Sequence, residues 1–450
     1  MILSRKIVRS CIAVVIASLV FSGALFAGEE LLIPILRGEG NAAVILSPGD
    51  GTAVLIDGGR AGEGNTAMTT EGESILESLW RRGYRQLVVL CSHSHVDHAG
   101  ALRRVVGAVA KGPDEVDLTR FTRVLLVDSA YPTEKSLRAV SVAAHGEREN
   151  IRYVEATRKN LSELAEFEGF LGTASRVSFR TLPYSPTEAA PVHGHSIVTE
   201  TTIRKDGHTL KFLDPDDASD AAIAEALRKR GPMEEGATLL LSAPHHGSRF
   251  SKLAIFAEHG WRPSAIVFQA NRKNQYRHPH TATWRQAVEM VGLESVFVTG
   301  ASRAEALVFD GSYPKAPSIA DAQVIVDQIL TPRSREAASE LAGLERQRGQ
   351  EHPELEAGDL RRQRMNARVS QAQLAERMKV PTAEVRVWEE EGLPDDRRTE
   401  VSQVLGRARI GRKQAQLREE LRQLGQLRRE YDRFLNSGSV CAYVLTGFAN

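Results

Sequence analysis

The chain's densest run of metal-binding side chains is Cys91-Ser92-His93-Ser94-His95-Val96-Asp97-His98-Ala99-Gly100. It follows the apolar segment Leu87-Val88-Val89-Leu90, which reads as a buried strand. Alternate residues of an extended strand share a face, so His93 and His95 point the same way. The loop that follows swings Asp97 and His98 towards a second point nearby. Two imidazoles for one ion, with a carboxylate and an imidazole for another, suit zinc, with manganese as the alternative. A polar loop holding three histidines by chance is the competing reading. The further pairs His193 and His195, His245 and His246, and His278 and His280 count against it.

The His-x-His-x-Asp-His string of residues 93–98 resembles the signature of the metallo-β-lactamase superfamily, whose members are mostly dizinc hydrolases. Three other segments add to the resemblance. Residues 49–59, ending in Asp57-Gly58-Gly59, resemble the strand–Asp–Gly turn near the start of that fold. Ala243-Pro244-His245-His246-Gly247-Ser248 and Tyr276-Arg277-His278-Pro279-His280 are similar to segments of the ComEC-like branch. That branch includes the extracellular hydrolase domain of the DNA-uptake channel. The similarity covers about residues 30–312, and the first motif is much the most specific.

The resemblance implies an α/β (α+β) αββα sandwich with two zinc ions at one sheet edge. His93, His95, Asp97 and His98 are the expected ligands, joined by a third imidazole, His195, with His193 as its substitute. A bridging carboxylate should end the strand of Phe212-Leu213-Asp214-Pro215-Asp216-Asp217. Register selects Asp217, with Asp214 and Asp216 as alternatives; an acidic turn capping the next helix is the plain reading. Of His245 and His246, His245 is expected to complete the second site and His246 to touch substrate or support the ligands. His278 and His280 would contact a substrate anion or protonate a leaving group, His280 being the candidate catalytic group, unless their turn is structural. Asp57 would support the site from behind. With both ions bound, a bridging water has its pKa lowered to about 7, giving a hydroxide nucleophile. Asp97 would then be a ligand that orients this hydroxide. No serine or cysteine nucleophile arrangement competes.

Substrate identity is weaker. The ComEC-like resemblance favours a phosphodiester, DNA or RNA, and Arg249, Arg272, Lys273 and Arg277 could meet a phosphate backbone. A lactone, thioester or amide suits the same metals, because the fold leaves the substrate open. A non-enzymatic DNA-binding regulator is the alternative of another class, and the complete first motif argues against it.

A chain of 450 residues exceeds one hydrophobic core, so two or three domains are expected. With 58 Lys and Arg against 57 Asp and Glu, overall charge advertises neither a nucleic-acid nor a membrane partner. Arg5, Lys6 and Arg9 precede an apolar run from Cys11 to Phe26 and the small residues up to Ala27. Residues 1–27 therefore read as a signal peptide, or as an anchor if uncleaved, and the protein as secreted or periplasmic. No membrane span is expected after residue 27. Cys91 and Cys441 alone would remain, which is no disulfide framework.

Helices are expected at 73–82, 99–110, 218–230 and 281–291, and residues 132–170 read as a charged, helix-prone insertion. Beyond the hydrolase domain of residues 30–312, a linker is expected over 313–357. Residues 358–406 then resemble a Cro/C1-type helix-turn-helix domain, with Leu374, Ala375, Val380, Val385 and Trp388 in its core pattern. A heptad follows over 407–436: Ile410, Leu417, Leu424 and Tyr431 at one seam position, Leu421 and Leu435 at the other. It implies either a homodimeric coiled coil or a helix packed on its own domain. Residues 437–450 form a tail. The presumed recognition helix, Thr382–Glu391, carries Glu384, Glu389, Glu390 and Glu391 against Arg386 alone. Phosphates would repel it, and operator binding belongs in the cytosol. Three readings compete: weak binding of extracellular DNA, a protein-interaction unit, or a cytoplasmic protein whose translation starts elsewhere. The protein-interaction reading is preferred.

Overall fold

Alternation along Gln86–Cys91 sets the layers of the N-terminal unit. Val88 and Leu90 enter one apolar cluster, while Leu87, Val89 and Cys91 enter another on the opposite face. A strand buried on both faces belongs inside a layered sandwich. The computed structural model describes residues 33–36, 43–47, 51–60, 69–70, 73–109, 112, 115–129, 136–156, 177–182, 196–205, 207–270, 276–299, 306–309, 323–347 and 360–436. The chain divides into two compact units, with the boundary between Ile325 and Val326.

In the first unit the strands begin with β1 (Ile33–Leu36), β2 (Ala43–Ser47) and β3 (Thr52–Ile56), then a short pair, β4 (Thr69–Thr70) and β5 (Glu73–Ser74). Next come β6 (Gln86–Cys91), β7 (Arg123–Ser129), β8 (Ile151–Ala156) and β9 (Val177–Leu182). The series closes with β10 (Val198–Lys205), β11 (His208–Asp214), β12 (Thr238–Ser242), β13 (Ala265–Phe268), β14 (Val296–Val298) and β15 (Ala306–Phe309). One mixed sheet has the order β15-β1-β2-β3-β6-β7-β8 and the other β14-β13-β12-β11-β10-β9. Their facing sides share a core that includes Ile45, Val54, Val88, Leu90, Val127, Phe212, Leu240 and Val267.

Helices cover the outer faces. On the first sheet α1 (Ile75–Arg81) and α2 (Val96–Gly107) bury Leu76, Leu79, Leu102 and Val105 against Leu55, Leu87 and Val89. Further along are α3 (Leu137–His145), α4 (Asp220–Arg230), α5 (Ala254–Glu258) and α6 (Thr281–Val291). These mixed α/β layers fit the expected αββα arrangement. The expected insertion at 132–170 is corrected in part, because Ile151–Ala156 pairs in parallel with β7 as the edge strand of the first sheet. Its sequence, Ile-Arg-Tyr-Val-Glu-Ala, has the polar alternation of an edge and was hidden in a charged run. β9 was also not anticipated. Among the described residues no helix is long and apolar enough to cross a membrane.

The outer face of the second sheet buries charge. Glu200 on β10 and Lys211 on β11 are fully buried, and Lys211 Nζ donates to Glu200 Oε1 at 2.7 Å. Arg230, at the end of α4, donates to Glu200 Oε2 at 2.7 Å and to Oε1 at 3.2 Å. The Trp261 ring covers both cations, 6.0 Å from Lys211 Nζ and 5.9 Å from the Arg230 guanidinium.

The second unit is helical: α7 (Thr331–Gln347), α8 (Leu360–Asn366), α9 (Gln371–Met378), α10 (Thr382–Glu391) and α11 (Asp395–Asn436). Leu374, Ala375, Val385 and Trp388 share one buried cluster with Val401 and Leu405 of α11. Ser370 opens α9 with a reciprocal capping box to Gln373. α11 runs unbroken for 42 residues, so no helix boundary separates residues 406 and 407. Its seam residues Ile410, Leu417, Leu424 and Tyr431 are buried within the chain, and α7 packs along it.

Two changes test these contacts. Glu200→Ala leaves Lys211 buried without its carboxylate and should cost about 3–5 kcal/mol in urea unfolding at neutral pH. Burial opposes ionisation of Glu200, but Arg230 and Lys211 outweigh it and hold the carboxyl below its usual range. A depressed carboxyl stabilises above its unfolded pKa, about 4.3, and loses that contribution as pH falls. The deficit of the variant should therefore shrink below about pH 4. Gly58→Ala would place a Cβ 2.5 Å from the Leu102 backbone nitrogen, which cannot move without α2. Its unfolding free energy should fall by about 3 kcal/mol or more.

Candidate metal centre

Four strand ends meet at one edge of the sandwich. β3 pairs in parallel with β6, and β11 with β12, so the C-terminal ends lie side by side in each sheet. β3 leads to Asp57, β6 to Ser92 and His93, β11 to Asp214–Asp217, and β12 to His245 and His246. α2 starts at once after His95, which brings Asp97 and His98 back over the site.

The backbone there is strained. Asp57 (φ 51°), Asp216 (φ 52°), His245 (φ 48°) and His246 (φ 53°) are all left-handed. Each such residue costs of order 1–3 kcal/mol and persists only where neighbouring bonds over-determine it. Here Asp57 N donates to Leu90 O at 2.9 Å, and His245 N to Asp216 O at 2.8 Å. Gly247 follows at φ 82°, where a Cβ would strike the Phe268 ring at 2.6 Å.

Asp217 stands at the middle. Its Oδ2 is 3.6 Å from His93 Nε2 and 3.4 Å from His245 Nε2. Its Oδ1 is 3.5 Å from both His98 Nε2 and His246 Nε2. These spacings are too long for hydrogen bonds. They match the roughly 3.3–3.6 Å between neighbouring ligands of a tetrahedral ion with bonds of about 2.0–2.2 Å. His246 Nε2 is also 3.7 Å from Asp97 Oδ2. Donor atoms of His93, His98 and Asp217 lie within 4.8 Å of one another, as do those of Asp97, His98 and His246. Chemistry and spacing of this donor set fit a divalent metal ion.

Asp216 works from behind. Its two oxygens meet His93 Nδ1 at 2.8 Å and His98 Nδ1 at 2.7 Å, leaving both Nε2 atoms directed at Asp217. Asp57 Oδ2 meets His98 Nδ1 at 2.9 Å and accepts from Ser92 Oγ at 2.5 Å. Carboxylates that hold the far nitrogen of an imidazole fix its tautomer and raise its basicity as a ligand.

Protons now balance the buried charge. Burial opposes a charged His98, but Asp216 and Asp217 outweigh it and hold the ring well above the usual imidazole range. His246 is held well below that range, by burial first and then by the charge on His98. His98 Nε2 lies 3.0 Å from His246 Nε2. Asp217 is pushed up to about 7 by burial, with the Asp216 charge adding. Asp216 itself lies well below the carboxylate range, because its two imidazoles overcome the cost of burial. Ions at Asp217 would displace these protons.

The sequence candidates are placed as follows. His93, His98, Asp97 and Asp217 converge. His95 is half-buried, its ring 4.7 Å from that of His93. His246 joins Asp97 and His98, whereas His245 faces the other oxygen of Asp217. His193 and His195 lie outside the described residues, as do Arg272 and Lys273. The chain just beyond His195 is close to the site, since Ile197 N donates to Ser92 O at 3.1 Å. His278 is buried, with its ring 5.7 Å from His245 and 5.4 Å from His280. Cys91 packs in the core, its thiol pushed up by burial and donating to His93 O. Ser92 was missed, for want of any spacing rule linking it to Asp57.

A cleft of about 580 Å³ opens onto these groups. Asp97, Asp217, His246 and His280 line it, with Arg249, Phe250 and Tyr276. Phe250 and Tyr276 are 72% and 57% exposed, unusual for aromatic side chains, and the Arg249 guanidinium lies 4.7 Å from the Phe250 ring centre.

Residues 36–122 match the family model of the metallo-beta-lactamase superfamily. No curated protein matches the chain. Among solved structures, a diphosphatase from the PhnP family is similar at 14% identity over 64% of this chain and 99% of its own, with a TM-score of 0.31. The unliganded yeast PDE1 structure shares 10% identity over 63% of this chain and 100% of its own, at 0.37. A metal-dependent hydrolase of the beta-lactamase superfamily, Tm1679, shares 11% over 62% and 98%, at 0.33. The H-x-H-x-D-H motif falls inside the matched segment, and the chain carries a hydrolase domain of the metallo-beta-lactamase superfamily.

Proposed function

We propose that this domain is a dizinc phosphodiesterase acting on DNA or RNA. The observation that supports two ions is Asp217, whose oxygens each face a separate pair of imidazole nitrogens at 3.4–3.6 Å. His93, His95 and His245 would hold one ion, joined by His195, and Asp97, His98 and His246 the other, with Asp217 shared. Bound there, the ions supply an acidified water and polarise the scissile group.

The chain's own residues do the rest. Asp216 and Asp57 keep the ligand rings oriented. Arg249 at the cleft rim meets a phosphate, and Phe250 and Tyr276 offer faces for bases to stack on, a sequence-tolerant contact. His280, half-buried in the cleft, delivers a proton to the leaving oxygen. Residues 1–27 act as an export signal in this reading, and the second unit, of helix-turn-helix type, as a module for a partner.

End-labelled single- and double-stranded DNA, offered to purified protein with zinc or manganese, tests the activity. Cutting should stop with a chelator and fall at least about 10³-fold in Asp97→Ala and Asp217→Ala, with zinc content of the latter below two per chain. His280→Ala should lose about 10²-fold in kcat with zinc content unchanged. Intact DNA in the presence of two bound zinc ions would reject the phosphodiester and leave a lactone, thioester or amide. Because ions bind the folded state, zinc at 100 times its Kd should add about 2.7 kcal/mol of stability per ion.

A further inference from the structure

The second unit separates its charges. Acidic side chains gather on α10, and Glu389 is already engaged there: Arg364 Nε donates to it at 2.5 Å and Gln371 Nε2 at 2.7 Å. Gln371, which opens α9, is occupied by this bond. The groove-reading face of the unit is thus both acidic and tied to itself.

A different surface is cationic. Arg368, Arg377, Arg407 and Arg412 surround a cleft of about 600 Å³ between the α8–α9 segment and α11. Its floor is Ala367, Val369, Val404 and Ala408, and no Asp or Glu lines it. Six other arginines of this unit, Arg364, Arg397, Arg398, Arg418, Arg422 and Arg428, have carboxylate partners. None of the four at the cleft has an ion-pair partner among the described residues. Arg412 Nη2 donates to Asn366 O at 2.8 Å, while its Nη1 is buried with no hydrogen-bond acceptor. A buried donor left in that state costs about 1–3 kcal/mol.

Arg368 adds an independent sign. It turns the chain out of α8 at φ 48°, where glycine or asparagine is the favoured residue. An arginine there costs about 1–2 kcal/mol in local conformation. The side chain it brings to the cleft is what that cost leaves in place.

We propose that this cleft, built wholly from the second unit, binds a phosphate-bearing anion, either a free nucleotide or the backbone of a nucleic acid. Guanidinium groups meet phosphate oxygens through paired, charge-assisted hydrogen bonds, and several around one cleft suit a ligand with more than one phosphate. The small apolar floor accepts the sugar or base. Its volume is that of a small-molecule site. The inference does not depend on what the metal centre cuts.

The test uses the full chain in EDTA, so that neither probe is hydrolysed. Fluorescence anisotropy follows a labelled 20-nucleotide single-stranded DNA and, separately, labelled ATP, each with inorganic pyrophosphate as competitor. Arg368→Gly combined with Arg377→Ala should weaken binding at least tenfold without lowering the unfolding midpoint, because glycine relieves the left-handed residue. Arg377→Glu with Arg407→Glu, both exposed, should weaken it further. For DNA the slope of log K against log salt should change from about −3 towards zero. Tighter binding of DNA than ATP identifies a nucleic-acid backbone as the source, and the reverse a free nucleotide. Binding of neither probe, or affinities unchanged within twofold in both double variants, overturns the proposal.

Discussion

The side chains of Asp57, Asp214, Asp216 and Asp217 and the imidazoles of His93, His98 and His246, out of contact with bulk water or nearly so, are the constraint around which the first unit is built. Carboxylates removed from water are tolerated only when paired or bound to cations. Asp217 has imidazole nitrogens on both oxygens, Asp216 has two more behind it, and Asp57 is held by Ser92 and His98. The same groups that neutralise one another by protons are arranged at the spacing that ions require. Compensation of buried charge and the capacity to hold metal are therefore one arrangement.

That arrangement dictates what the sandwich must supply. Donors have to arrive from both sheets at a single edge, and parallel pairing of β3 with β6 and of β11 with β12 brings their ends together. Short loops then turn side chains inward within one or two residues, and left-handed backbone makes several of those turns. The strain at Asp57, Asp216, His245 and His246 follows, held by bonds between the very segments that carry it. Gly58 and Gly247 lie beside them because α2 and the Phe268 ring leave no room for a side chain.

The second unit meets a milder version of the same problem. Its surface is dense in both signs of charge, and several arginines are neutralised by carboxylates on their own or a neighbouring helix. The four at the cleft come from two segments, residues 368–377 and 407–412, which converge only because α11 folds back along α8 and α9. A near-zero net charge over the whole chain conceals this local imbalance.

What the sequence determined by itself was the local chemistry. The spacing of His93, His95, Asp97 and His98 is a short-range property, and through the family resemblance that it carries it pointed to the layered fold and to the candidate ligands of the first motif. The core pattern of α9 and α10 was equally local. Division of labour between Asp216 and Asp217, and between His245 and His246, was decided only by tertiary structure. At a left-handed residue the next side chain does not follow the two-residue period of a strand, so register along the chain no longer tells which group faces the centre. The edge strand β8 was hidden for a related reason: a polar strand reads as surface until a neighbouring strand pairs with it. The arginine cleft lay wholly beyond the sequence, since its members meet across some forty residues and no period relates them.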